Sequence, residues 1–245
     1  MTVIDTLLSY LLETIAPKDY KAEVIYVVDS SSFVGLDNYQ IEKDFVKSLA
    51  RVLNHSPSHT QSSVIVFDSF LETPIRMGSY RELGSFLEAV NNLRYLGGSS
   101  SRLDFALAFA VRGFSTNRPD VPKIIVVITN KDPPNRGPMD SLASIIRQEG
   151  KAMYVIAVGN EGDFPNLQRL VVRPEDMYTP KAYADVMSYV PSIASNILAR
   201  EFKTYFNNFC ENICNATSTM CTNEPKRKIY ISSIRSIPII LHGAA

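Results

Sequence analysis

From about Lys21 to Arg200, short apolar runs alternate with stretches of helical spacing. Glu23 to Asp29 is β-branched and aromatic between its two charged ends, which predicts a strand buried on both faces of a parallel sheet. A helix is predicted from about Asp37 to Leu53, with Ile41, Phe45, Leu49 and Val52 on its apolar face. Ser62 to Phe67 and Glu72 to Met77 read as two short strands with four residues between them. A link that short demands a hairpin, so one of the two runs antiparallel at the sheet edge. Tyr80 to Leu93 is read as a helix facing inward with Leu83, Phe86, Leu87 and Val90, and Gly97-Gly98 breaks the pattern. A second helix follows, with Leu103, Ala106, Leu107, Ala110 and Phe114 on one side. Lys123 to Thr129 is the most hydrophobic strand and belongs at the centre of the sheet. Asp140 to Gln148 reads as a helix, Ala152 to Val158 as a strand and Pro165 to Val171 as a short helix. Tyr178 closes a brief sixth strand, and Lys181 to Arg200 forms a last helix that Pro191 must kink or open. The alternation predicts an α/β fold: a doubly wound, Rossmann-like sheet of six mostly parallel strands, with one antiparallel edge strand and helices on both faces.

Outside this region the pattern changes. Residues 1–20 carry Ile4, Leu7, Leu8, Leu11, Leu12 and Ile15 at helical spacing and read as an amphipathic extension, residues 21–200 as the domain, and 201–245 as a cysteine-containing extension. Asp5, Glu13 and the lack of a basic start make the first residues a poor signal peptide, so either secretion depends on a segment missing from this chain or the protein stays inside. Cys210, Cys214 and Cys221 lie close together beyond the periodic region. Such clustering reads as the start of a disulfide-bonded segment, with the odd thiol free or joined to another chain in a homo-oligomer. Zinc is a poorer reading, because His242 is far along the tail and no fourth ligand stands near the three sulfurs. The sequons at Asn54 and Asn215 fit a glycosylated, secreted surface.

Composition excludes more than it proposes. With 25 basic and 25 acidic residues the chain has no net charge to attract nucleic acid, and Lys226-Arg227-Lys228 reads as a solvated tail. No apolar stretch approaches the roughly 18–20 residues that insert across a bilayer. Neither a Gly-x-Ser-x-Gly elbow nor a phosphate-binding glycine loop is present, and His55 and His59 sit in a Ser/Pro-rich connection read as solvated, at the end of the sheet away from any site. The chain is therefore not read as an enzyme.

Three loops share one chemistry at the carboxyl end of the sheet, where open α/β folds place ligands: Asp29-Ser30-Ser31-Ser32, Gly97-Gly98-Ser99-Ser100-Ser101, and Thr129-Asn130-Lys131-Asp132. With these loops in this order, residues 21–200 resemble the von Willebrand factor type A domain family, particularly its matrilin- and collagen-associated matrix branch. Gly150 to Gly159 is similar to the family's penultimate strand with its closing glycine. The resemblance implies a metal-ion-dependent adhesion site for Mg²⁺, or Mn²⁺ or Ca²⁺, with Asp29, Ser31, Ser101 and Asn130 as metal residues. Phe33 stands where the family has a serine ligand, and Asn130 where it has aspartate. One charge against a divalent ion at about 4 Å and an effective dielectric near 20 is worth several kcal/mol before desolvation, so a cation is expected to bind weakly or not at all. Ser32 and Asp132 are candidates to compensate, and with Phe33 they form the expected partner-binding set. Phe33 reads either as a plug over the sheet end or as an exposed anchor. Ser31 and Ser101 taken alone also read as loop and helix caps. The resemblance further implies a secreted, non-enzymatic adhesion module of the extracellular matrix that binds collagen or another matrix protein. The alternatives are a unit of a disulfide-linked assembly and an intracellular complex scaffold.

Overall fold

Every residue of the first strand, β1 (Ala22–Asp29), is buried. This is the consequence of a position inside a sheet with both faces covered, for which an unbroken apolar run is needed. The structure is a computed structural model, and it describes residues 20–199. The cysteines Cys210, Cys214 and Cys221, Asn215, and the 1–19 and 201–245 extensions lie outside the described residues.

After β1 come α1 (Leu36–Val52), β2 (Thr60–Phe67), β3 (Leu71–Ile75), α2 (Leu83–Asn91), α3 (Leu103–Ala110), β4 (Lys123–Thr129), α4 (Arg136–Gln148), β5 (Ala152–Ala157) and β6 (Met177–Tyr178). The sheet order is β3-β2-β1-β4-β5-β6. All pairings are parallel except β2 with β3, so the antiparallel strand sits at the edge as the short link requires. Alternate residues of β1 feed two cores. Val24, Tyr26 and Val28 pack with Phe45, Leu49, Phe86 and Val186, while Ile25 and Val27 pack with Leu103, Leu107 and Ile146 on the other face. No described helix is long and apolar enough to cross a membrane.

The differences from the sequence expectation have local causes. Helix α2 starts at Leu83 rather than Tyr80, and Tyr80 offers its carbonyl to the His55 ring at 2.9 Å. Helix α4 starts earlier than Asp140, at Arg136, because Pro138 falls in its first turn, where no backbone donor is needed. Pro74 is accommodated in β3 because an edge strand needs only one side of its ladder. The last helix divides into a 3₁₀ segment, Tyr183–Tyr189, and a helix over 190–199, so Pro191 stands in a first turn instead of kinking a long helix.

His55 corrects a further expectation: it is buried, not solvated. Its ring stacks on Phe86 with centroids 4.3 Å apart. Nε2 donates to the Tyr80 carbonyl, which can only accept, and Nδ1 therefore accepts from Ser62 Oγ at 3.0 Å. Burial lowers its pKa. His59 is half-buried between the Ser56 and Ser58 hydroxyls, with Nδ1 at 2.8 and 3.0 Å from them.

Candidate functional site at the carboxyl end of the sheet

The carboxylate of Asp29 is buried where β1 ends. Oδ1 accepts the Ser31 backbone N–H at 3.0 Å, and Oδ2 accepts the hydroxyls of Ser101 at 3.0 Å and Thr129 at 2.7 Å. Burial raises its pKa, and the donors from Thr129, Ser31 and Ser101 oppose that rise. All three predicted loops thus converge on one carboxylate.

The same loops are fastened to one another through their backbones. Gly97 N–H donates to the Ser30 carbonyl and Ser32 N–H to the Gly98 carbonyl, each at 2.8 Å. The Ser30 hydroxyl accepts Leu96 N–H at 2.8 Å, and Tyr95 Oη donates to the Ser31 carbonyl at 3.1 Å. Asp68, at the end of β2, accepts Gly98 N–H and Phe70 N–H, both at 2.8 Å. Any Cβ at position 98 would collide with the Asp68 carboxylate and the Ser69 hydroxyl, so the approach of these loops requires glycine there.

Asn130 joins the first and third loops, because its Nδ2 donates to the Phe33 carbonyl at 2.8 Å. Phe33 is 46 % exposed, which makes it an outward group and not a plug. Lys131 Nζ lies 4.3 Å from the centre of the Phe33 ring. Ser32 is exposed, and the structure does not bring its hydroxyl to Asp29. Nor is Asp132 turned toward the Asp29 loop: its carboxylate accepts Asn166 N–H at 3.1 Å and Leu167 N–H at 2.9 Å, capping a 3₁₀ turn. Asn54, with its sequon, is exposed.

One residue near the site was missed by reading the sequence. Glu42 is fully buried in α1, accepts the Tyr183 hydroxyl at 2.8 Å, and has its pKa pushed well up, first by burial and then by the charge of Asp29. Its signal was present in the helical spacing. Tyr39, Glu42, Phe45, Val46 and Leu49 form the inward face, whereas Ile41, which the apolar pattern selected, is only partly buried.

These residues make a poor divalent cation site. Mg²⁺ wants charged oxygens and open lone pairs. Of the residues predicted as ligands only Asp29 is a carboxylate, and it already accepts three donors. Phe33 contributes a ring, and Asn130 has committed its amide nitrogen to a carbonyl. Of the buried oxygens near Asp29 left without a well-formed hydrogen bond, Ser31 Oγ and Asn130 Oδ1 are neutral, and Glu42 Oε2 belongs to a carboxyl whose pKa burial pushes well up. Among the described residues no three His, Cys, Asp or Glu side chains cluster to hold a metal.

The model of the von Willebrand factor type A domain matches residues 23–191. The chain belongs to this family. The collagen alpha-1(XXI) chain of Xenopus laevis is 26% identical over 164 residues, covering 66% of this chain and 16% of that protein. The human von Willebrand factor A domain-containing protein 2 is 28% identical over 172 residues, 67% of this chain and 22% of its own length. The chain therefore spans less than a quarter of either relative. Among solved structures, proximal thread matrix protein 1 from the mussel byssus superposes with a TM-score of 0.67 at 21% identity, over 74% of this chain and 48% of that one. A further structure of the mussel protein has zinc in its MIDAS motif, the metal-ion-dependent adhesion site, so metal binding occurs within the type A fold. In the present type A domain the loops around Asp29 carry Phe33 and Asn130 and are joined by hydrogen bonds.

Proposed function

We propose that this type A domain is a non-enzymatic, secreted module of the extracellular matrix that binds another matrix protein, collagen first among them, and that it does so without a divalent cation. Matrix relatives such as the Xenopus collagen chain support the setting, and the exposed sequon at Asn54 agrees with secretion. The observation that supports cation independence is the Asp29 carboxylate with three protein donors, from Ser31, Ser101 and Thr129, while Asn130 is tied to the Phe33 carbonyl. A partner that binds through a metal must supply an acid to complete its coordination. Here the loops present an aromatic ring and a lysine instead. Solid-phase binding to fibrillar collagens in EDTA and in millimolar Mg²⁺ tests both parts. Equal binding in the two buffers is expected. Binding abolished by EDTA contradicts cation independence, and no binding to any collagen removes collagen as the partner.

A further inference from the structure

The exposed aromatic residues of the described chain gather around the candidate site. Phe33, Phe70 and Phe105 are 46, 79 and 54 % exposed, and Phe109 continues the row one turn along α3 at 48 %. Phe33 follows β1, Phe70 sits in the β2–β3 turn and Phe105 in the first turn of α3. These segments form one rim, since Ser32 N–H bonds the Gly98 carbonyl and Arg102 N–H bonds the Asp68 carbonyl, each at 2.8 Å. Two of the rings carry a cation on their face. Lys131 Nζ is 4.3 Å from the Phe33 centroid, and Arg102 Cζ is 3.8 Å from that of Phe105.

The acids on the loops and helix starts that carry the rim are largely consumed. Asp29 is buried under three donors, Asp68 holds the N–H groups of Gly98 and Phe70, and Asp132 holds those of Asn166 and Leu167. Asp37 stands in the first turn of α1, where free backbone N–H groups compensate its charge. Asp104 engages only Nε of Arg102, at 3.3 Å. The positive groups, by contrast, rest on exposed rings that hold them in place.

We propose that this rim docks a protein segment in which an acidic side chain is flanked by apolar ones, with Lys131 and Arg102 taking the carboxylate directly and the phenylalanine rings taking the flanks. The proposal rests on the reading of the domain as a protein-binding module and specifies the chemistry of its partner. A guanidinium fork and an ammonium bind a carboxylate without a metal, and stacking orders both in advance, which reduces the entropy lost on binding. Aromatic rings supply contact area from few rotatable bonds and are common anchors in protein interfaces.

The test uses the full chain on an array of peptides with a central Asp or Glu between apolar residues, each beside its Asn or Gln counterpart, and separately on collagen. Wild type is compared with Lys131→Glu/Arg102→Glu and with Phe33→Ala/Phe105→Ala, and unchanged melting temperatures show that the variants fold. Retention on the acidic peptides about fivefold or more above the amide controls is expected, lost on charge reversal and weakened by removal of the rings. Equal retention on acidic and amide peptides, retention unchanged by charge reversal, or binding to sulfated glycosaminoglycan with none to acidic peptides overturns the proposal. Collagen binding that survives charge reversal overturns the rim while leaving the module reading intact. An acidic-peptide preference without collagen binding leaves the rim standing and removes collagen as partner. Should a double variant fail to fold, Lys131→Ala is read in the same assay, with a loss of acidic preference expected and no loss counting against the rim.

Discussion

A buried carboxylate is tolerated only where protein donors replace the water it gave up, and Asp29 has three of them. Removing one should cost more than the bond itself, because the remaining oxygen stays desolvated. Thr129→Val, which deletes the 2.7 Å donor to Oδ2, is expected to cost about 1–3 kcal/mol, and Ser101→Ala, at a less buried position, about 1 kcal/mol. Denaturant unfolding reads both, and variants as stable as wild type would show that the hydroxyls do not hold the carboxylate. The convergence of the loops was legible in the sequence because each follows a strand or precedes a helix at the same end of the sheet, and the family resemblance singled out Asp29, Ser31 and Ser101 within them. Glu42 was not legible, because the face was traced through its apolar members: Phe45, Leu49 and Val52 are buried as expected, but an acid on the same face is passed over by a hydrophobic pattern. The orientation of Asp132 also lay beyond sequence reading, since its partners, Asn166 and Leu167, are distant along the chain and join it only in the folded molecule.

The loops and helix ends carry the next set of expectations. Gly98→Ala places a Cβ against Asp68 and Ser69, so the second loop must withdraw from the first, and a loss of about 1–3 kcal/mol is expected in thermal or urea unfolding. An unaltered melt would mean that the loops are not held together there. At the opposite end of the sheet, His55 links the start of β2 to the segment before α2 through Ser62 and Tyr80. Burial depresses its folded pKa below the ordinary 6.5, so the stability it contributes is present above that value and lost as pH falls through the folded one. Relative to His55→Phe, wild type should lose stability between pH 7 and pH 5, and parallel profiles for the two proteins would contradict the neutral, buried ring. Element order and type were legible here from hydrophobic period alone. Boundaries were not, since Tyr80 is held by a tertiary hydrogen bond and Pro138 is tolerated only because of its place in a first turn.

At the scale of the whole molecule, the parallel pairing of β1 with both β2 and β4 brings three chain-distant loops to one edge of the sheet. The fold could be read because alternation of strand and helix periods leaves few topologies, and the short β2–β3 link required one of those two strands to reverse, which the structure shows to be β3 at the edge. The state of the site could not be read so fully. The loss of a hydroxyl at Phe33 and of a charge at Asn130 was visible, but the hydrogen bond that turns Asn130 into a tie between loops was not. That tie and the three donors on Asp29 carry the proposal that the loops, held by their own hydrogen bonds, work without an ion. A ligand that binds only the folded state stabilises it by about 2.7 kcal/mol at a hundredfold excess over its dissociation constant, worth roughly 5–10 °C in a domain of this size. The most direct measurement is a thermal melt of the chain in EDTA, in millimolar Mg²⁺ and in millimolar Mn²⁺. Coincident melting temperatures are predicted, and an upward shift with either ion, reversed by EDTA, would contradict the account.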